Sequence, residues 1–326
     1  MRSGYAICFA ALLAAGSAHT AQGGKADDPA PGYPARPVRL IVPFPPGGSN
    51  DIIGRYFAQY LTERYGRQVV IDNRGGADGI IGTEIAARSL PDGYTLLLIS
   101  AAYPVNAATR KLPYDPMTAF SWVGMLGQGP SLLAVGPSLK VNTAKELLAY
   151  GRANPGKLTM TSSGGYAQFA AELFNHMSGM KMLVVVYKGG FPALLDVMGG
   201  QAQLNLGSLI QSMPHLNSGK LKALATTGAK RAVATPDLPT IAESGVPGYE
   251  ANNLWAIGAP ARTPAGIIAK LYADMERYLK LPETQKRFEA EGAEVDIRTP
   301  EEVRKLIPVE MAKWANVAKV ANIRAQ

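Results

Sequence analysis

"LIVPFPPGGSNDIIGRYFAQYL", Leu40 to Leu61, passes from an apolar run through prolines and glycines into a Ser-Asn-Asp triplet and then a patterned segment. The five residues Val38–Val42 ("VRLIV") read as a buried strand. Pro45 and Pro46 end it, and Gly47 and Gly48 supply a tight turn. In residues 52–65 the apolar positions 52, 53, 56, 57, 60 and 61 fall on one face of a helix. A glycine-rich turn between strand and helix often cradles a phosphate, so what this turn holds is the question that decides function.

Working outward, strands are predicted at Val38–Val42, Val69–Asp72, Tyr94–Ile99, Leu132–Val135, Lys157–Thr161, Met182–Tyr187, Leu204–Leu206, Leu221–Thr226 and Leu254–Gly258, with helices filling the gaps. This alternation predicts an α/β fold with a mainly parallel sheet covered on both faces. Turn chemistry marks the joints. "PDGY" at Pro91–Tyr94 enters a strand, and "ANPGK" at Ala153–Lys157 ends a helix that Asn142 or Thr143 begins. Thr299, Pro300 and Glu302 make a helix start with cap, first-position proline and reciprocal Glu. Pro308 is expected to kink that last helix. No internal repeat or low-complexity tract is present.

The first residues bear on compartment. Arg2 precedes a short apolar core, Tyr5–Ala15, followed by small residues to Ala21, the pattern of a cleaved secretory signal over residues 1–21, cut between about Ala18 and Ala21. The core is too short for a membrane span. The sole cysteine, Cys8, leaves with it, so neither disulfides nor thiol chemistry is expected in the mature chain. The formal charge of +8 becomes +7 without Arg2, with 32 basic against 25 acidic residues. The basic residues are scattered, as in "GRANPGK" and "TTGAKR", which argues against a nucleic-acid face and leaves a mild positive field that draws small anions.

Catalytic machinery is sparse. His176 and His215 are the histidines that survive signal removal, neither stands in a metal-binding pair, and no GxSxG elbow occurs. No metal, cofactor or enzymatic activity is expected. The first turn has neither GxGxxG nor GxxxxGK[ST]. It offers backbone groups and the positive end of a helix, which suit any small anion, carboxylate included. Equally, Ser49 or Asn50 caps the helix and Asp51 merely favours its first turn. Asp51 repels an anion, so contact beside it runs through backbone or water. "TMTSSGGYAQFAAELF" (Thr159–Phe174) and "VVVYKGGFPALLDVM" (Val184–Met198) repeat the strand-turn-helix pattern, and "ISAAYPVNAA" from Ile99 adds a polar loop. Such loops converge at the carboxyl ends of parallel strands.

"RPVRLIVPFPPGGSND", "VVIDNRGGADGIIG", "PDGYTLLL", "KLPYDP", "NPGKLT", "YKGGFPALLDVMGGQ", "GKLKALATT" and "LPTIAESGVPGYE" occur in this order. Together they resemble the Bug (TctC) family of periplasmic solute receptors of tripartite tricarboxylate transporters, over nearly the whole mature chain. The resemblance implies a two-domain periplasmic binding protein (type II) with a ligand cleft between domains joined by two crossing strands, near Met125–Val135 and Tyr249–Gly258. Domain 1 would be discontinuous, residues 33–127 plus 251–326, and domain 2 would be 128–250. It further implies a monomeric periplasmic receptor that binds a small carboxylate and delivers it to membrane permease subunits, or presents it to the outer domain of a sensor kinase.

Carried onto this chain, the first loop is Pro45, Pro46, Gly47, Gly48 and Ser49, meeting the far end of the ligand through waters. The carboxylate grip would be Ser100 and Ala101 with Ser162, Ser163, Gly164, Gly165 and Tyr166, bordered by Gly189 and Gly190. The chain also departs from the family pattern. "SGGYAQF" replaces a hydroxyl-rich run, a family aspartate in the segment after "GGQ" is missing, since "AQLNLGSL" carries Gln203 and Gly207 but no acid, and Tyr103 replaces a histidine. Loss of the acid disfavours an amino-acid ligand. Tyr103 and Tyr166 are expected to face the cleft, and Phe169 and Phe191 to fill core; the two tyrosines would suit an aromatic carboxylate. A rival exported hydrolase would need a histidine within reach of a cleft serine.

Overall fold

A computed structural model of the protein describes Met1 and residues 28–323; apart from Met1, the expected signal segment lies outside the described residues. The strands are β1 (Val38–Val42), β2 (Val69–Asn73), β3 (Thr95–Ser100), β4 (Phe120–Val135), β5 (Thr159–Ser162), β6 (Leu183–Val186), β7 (Leu204–Ser208), β8 (Lys222–Thr226), β9 (Asn252–Pro260) and β10 (Glu294–Arg298). The helices are α1 (Ser49–Tyr65), α2 (Ile80–Ala87), α3 (Ala102–Thr109), α4 (Ala144–Ala153), α5 (Gly165–Ser178), α6 (Gly190–Met198), α7 (Leu209–Asn217), α8 (Ala265–Leu279), α9 (Pro282–Ala290) and α10 (Pro300–Val320).

The strand order is β2-β1-β3-β9-β4-β7-β5-β6, with β10 and β8 also paired to β4. The two ends of this path are parallel, β2-β1-β3 and β7-β5-β6, while every pairing through β4 or β9 is antiparallel. The mainly parallel sheet expected from alternation is therefore a mixed one. The cause is β4, sixteen residues long, which pairs with β9 along Phe120–Pro130 and with β7 and β8 along Ser131–Val135, tying both parallel sets together. The apolar pattern gave a strand only at Leu132–Val135 and the family resemblance a crossing near Met125–Val135; Phe120–Gly124 was not foreseen, because Gly124, Gly127 and Gly129 break the pattern. Gly127 has a packing reason: a Cβ there would lie 2.4 Å from the Glu294 carbonyl oxygen of β10. β10, a short alternating strand, was likewise not foreseen.

β1 shows why these strands read as continuous apolar runs. Val38, Leu40 and Val42 pack with Phe57 and Leu61 of α1, whereas Ile41 faces the other side and joins the cluster containing Trp314 of α10. Both faces are covered, so apart from Arg39, which pairs with Asp72 of β2, the strand is apolar throughout. β3 divides in the same way, Leu96 and Leu98 against Leu97 and Ile99.

Two helix starts are closed by their own side chains. Thr143 Oγ1 accepts from Glu146 N at α4, and Thr299 with Glu302 forms a capping box at α10, which continues through Pro308. The polar loop expected after Ile99 is instead helix α3, with Pro104 in its first turn, where a missing N–H costs no bond.

Candidate functional site

The turns β1–α1, β3–α3, β5–α5, β6–α6 and β7–α7 surround a cavity of about 310 Å³, completed by Pro130 and Ser131 of β4 and Asn253 of β9. All five helices start there without a side-chain cap, at Gly48, Ala101, Gly164, Gly189 and Ser208. First-turn N–H groups of a helix lack intrahelical partners, and the end carries roughly half a positive charge. Among the described residues, Lys188 is the one charged residue in the lining, which contains no acid. Such a wall attracts an anion and gives an ammonium group nothing to pair with.

The first turn is held in shape from behind. Asp51, 3% exposed, accepts from Gly47 N at 3.0 Å, Asn73 Nδ2 at 2.9 Å and Arg55 Nε at 2.9 Å, while Asn73 also donates to the Phe44 carbonyl. Burial pushes the Asp51 carboxyl up, but hydrogen bonds from Arg55, Gly47 and Asn73 outweigh it and leave the group below its ordinary range. Its charge is spent inside the turn, which answers the expected repulsion. Neither Ser49 nor Asn50 caps α1. Asn50 Oδ1 instead accepts from Trp255 Nε1 at 2.8 Å and Asn253 Nδ2 at 3.4 Å, and Asn253 Oδ1 accepts from Ala101 N at 3.1 Å. Three chain segments are thereby locked at one edge of the cavity.

Of the residues singled out in the sequence, Pro46, Gly48, Ser49, Ser100, Ser163, Gly164, Tyr166, Gly189, Gly190 and Gly207 line the cavity. Gly47, Ala101, Tyr103, Ser162 and Gly165 do not. The amides of Gly47 and Ala101 are taken by Asp51 and Asn253. Ser162 is fully buried on β5, and Gly165 turns toward Ala102 and Asp78. Tyr103 corrects an expectation: it packs among Tyr114, Phe120 and Trp122, and its hydroxyl donates to the Pro116 carbonyl at 2.6 Å. Phe191 corrects the opposite one, being half exposed on the cavity wall, while Phe169 lies in the core against Trp314.

Tyr166 is 7% exposed, stands edge-on to Trp314, and its hydroxyl is enclosed beside Ser131 without a well-formed hydrogen bond. Burial raises its pKa far above the ordinary phenol value, so it is a neutral donor. Sequence reasoning missed Ser131, Asn205, Ser208, Gln211 and Asn253. A signal existed for Asn205, a polar residue inside the apolar strand "LNLGS" and hence inward-facing. For Ser131 and Gln211 no local pattern points to a site. Among the described residues no histidine lines the cavity, and no group of three or more metal-binding side chains occurs.

Two parallel β/α halves bridged by one long strand, with helix starts converging on a hollow, define a solute receptor of the periplasmic-binding-protein class. The chain matches the family model "Tripartite tricarboxylate transporter family receptor" (TctC) over residues 53–323, and it belongs to that family, whose members are solute receptors rather than enzymes. It is 36% identical over 292 residues to BugT of Bordetella pertussis, covering 88% of this chain and 90% of that relative. Among solved structures it is similar to Rpa4515 of R. palustris with adipate, at TM-score 0.86 and 36% identity, covering 90% of this chain and 99% of the other. It is also similar to MatC of Rhodopseudomonas palustris with bound malate, at TM-score 0.81 and 28% identity, covering 87% and 99%.

Proposed function

We propose that this protein is an exported receptor that holds a small organic carboxylate in the cavity and delivers it to membrane permease subunits. The observation that carries the reading is the convergence of uncapped helix starts on a hollow whose lining, among the described residues, has Lys188 and no acid. First-turn amides of α5, α6 and α7 and the hydroxyls of Ser163 and Tyr166 would take the carboxylate, from the half of the chain between residues 128 and 250. Pro46, Gly48 and Ser49 would meet the ligand from the other half. A ligand touching both halves favours the conformation in which they close. The adipate and malate bound by the two relatives named above support an acid as cargo.

The ligand body would be apolar and bulky or aromatic. Phe191, Pro45, Pro46, Pro130 and Pro192 form flat apolar walls around the polar turns. Isothermal calorimetry with adipate, malate and benzoate tests the function, and benzoate binding more tightly than adipate would support the aromatic body. Ser163→Phe should abolish binding while the thermal unfolding profile stays cooperative. Unchanged affinity in that variant, or tight binding of amines with no acid bound, would overturn the carboxylate reading.

A further inference from the structure

Asn205 is 3% exposed and lines the cavity from β7. The orientation of its amide follows from its neighbours. Thr161 Oγ1 lies 3.0 Å from the Ala193 carbonyl and 3.3 Å from the Leu204 carbonyl, so its single hydrogen goes to one of them and it meets Asn205 as an acceptor. The Thr161 carbonyl, 3.4 Å away, is also an acceptor. The NH2 group must therefore face Thr161, at 2.9 Å from its hydroxyl, and Oδ1 takes the opposite side. There a Cβ at position 207 would stand 2.3 Å from Oδ1, so glycine is what leaves that oxygen its place. No hydrogen bond reaches Oδ1 among the described residues.

Oδ1 opens on the cavity, and a ligand that displaces water from such an acceptor loses affinity unless it donates in the water's place. An ionised carboxylate cannot, since it has no proton to give and would set lone pairs against lone pairs. An ammonium group could, but among the described residues no acid stands in the lining to neutralise it. A neutral O–H satisfies both conditions.

We propose that the ligand is a hydroxylated carboxylate whose O–H donates to Asn205 Oδ1, with Gly207 acting as the specificity-determining glycine that frees this oxygen. The inference rests on the carboxylate reading above. It is tested by calorimetry with two pairs of probes, malate against succinate and 4-hydroxybenzoate against benzoate. In the wild-type protein the hydroxylated member of at least one pair should bind about tenfold more tightly. Asn205→Leu should erase that preference, and so should Gly207→Ala, which keeps Asn205 and requires no unusual backbone angle because Gly207 is not among the positive-φ glycines. If Asn205→Leu does not fold, Gly207→Ala decides. Equal affinity within both pairs, or a preference that survives Gly207→Ala, overturns the hydroxyl inference alone. Failure of the wild-type protein to bind any acid would remove the carboxylate reading and this inference with it.

Discussion

Replacing Tyr166 by phenylalanine should move stability and affinity in opposite directions. The ring stays edge-on to Trp314, at 5.4 Å between centroids, and the only loss is a hydroxyl that is buried without a well-formed hydrogen bond. An unsatisfied buried hydroxyl costs about 1–3 kcal/mol. Its removal should stabilise the ligand-free protein by about 1 kcal/mol, or about 2 °C in Tm for a chain of this size. With a carboxylate bound, the same hydroxyl becomes a donor to a charged acceptor, a bond worth about 1.5–3 kcal/mol, so Kd should rise by about ten- to a hundredfold. The phenol is held protonated by burial, so the loss should be the same at pH 6 and pH 8. Differential scanning calorimetry on the free protein and titration with whichever acid the wild type binds give the two numbers. A lower Tm together with an unchanged Kd would refute the reasoning, since it would make the hydroxyl a structural group that touches no ligand.

Asp51 makes the first turn acid-labile. Its folded pKa lies below the ordinary 3.8, so it contributes stability that is fully present above that value and lost as pH falls through the lowered one. The stability gap between wild type and Asp51→Asn, read from urea unfolding, should accordingly be flat from pH 8 to 5 and shrink below about pH 4; a gap that widens in acid would contradict it. Asn253→Ala removes the partner of Ala101 N and one neighbour of Asn50, and should cost about 1–3 kcal/mol in denaturant unfolding while weakening ligand binding. Gly127→Ala would drive a Cβ against the Glu294 carbonyl and should cost at least about 1–3 kcal/mol in denaturant unfolding. Phe191→Ala should weaken benzoate more than adipate in calorimetry; equal losses would count against an aromatic body.

Local patterns carried much of the fold. Five-residue apolar runs, glycine turns and 3.6-residue periodicity are properties of adjacent residues, and they located β1, α1 and the turns after β5 and β6. The Thr299 capping box was legible for the same reason, because its partners stand three residues apart. The antiparallel middle of the sheet was not, since β4 is specified by what approaches its glycines, Glu294 above all, from far along the chain. Nor could sequence decide which loop groups face inward. Ala101 and Tyr103 sit in the right loop, yet a side chain from position 253 and a carbonyl from position 116 claim their polar groups. By itself the sequence determined that helices begin at glycine turns and that no acid stands at position 207. Only tertiary structure decided which amides are left unpaired, because a hydrogen-bonding group is free for a ligand only when every neighbour brought close by folding has already been counted.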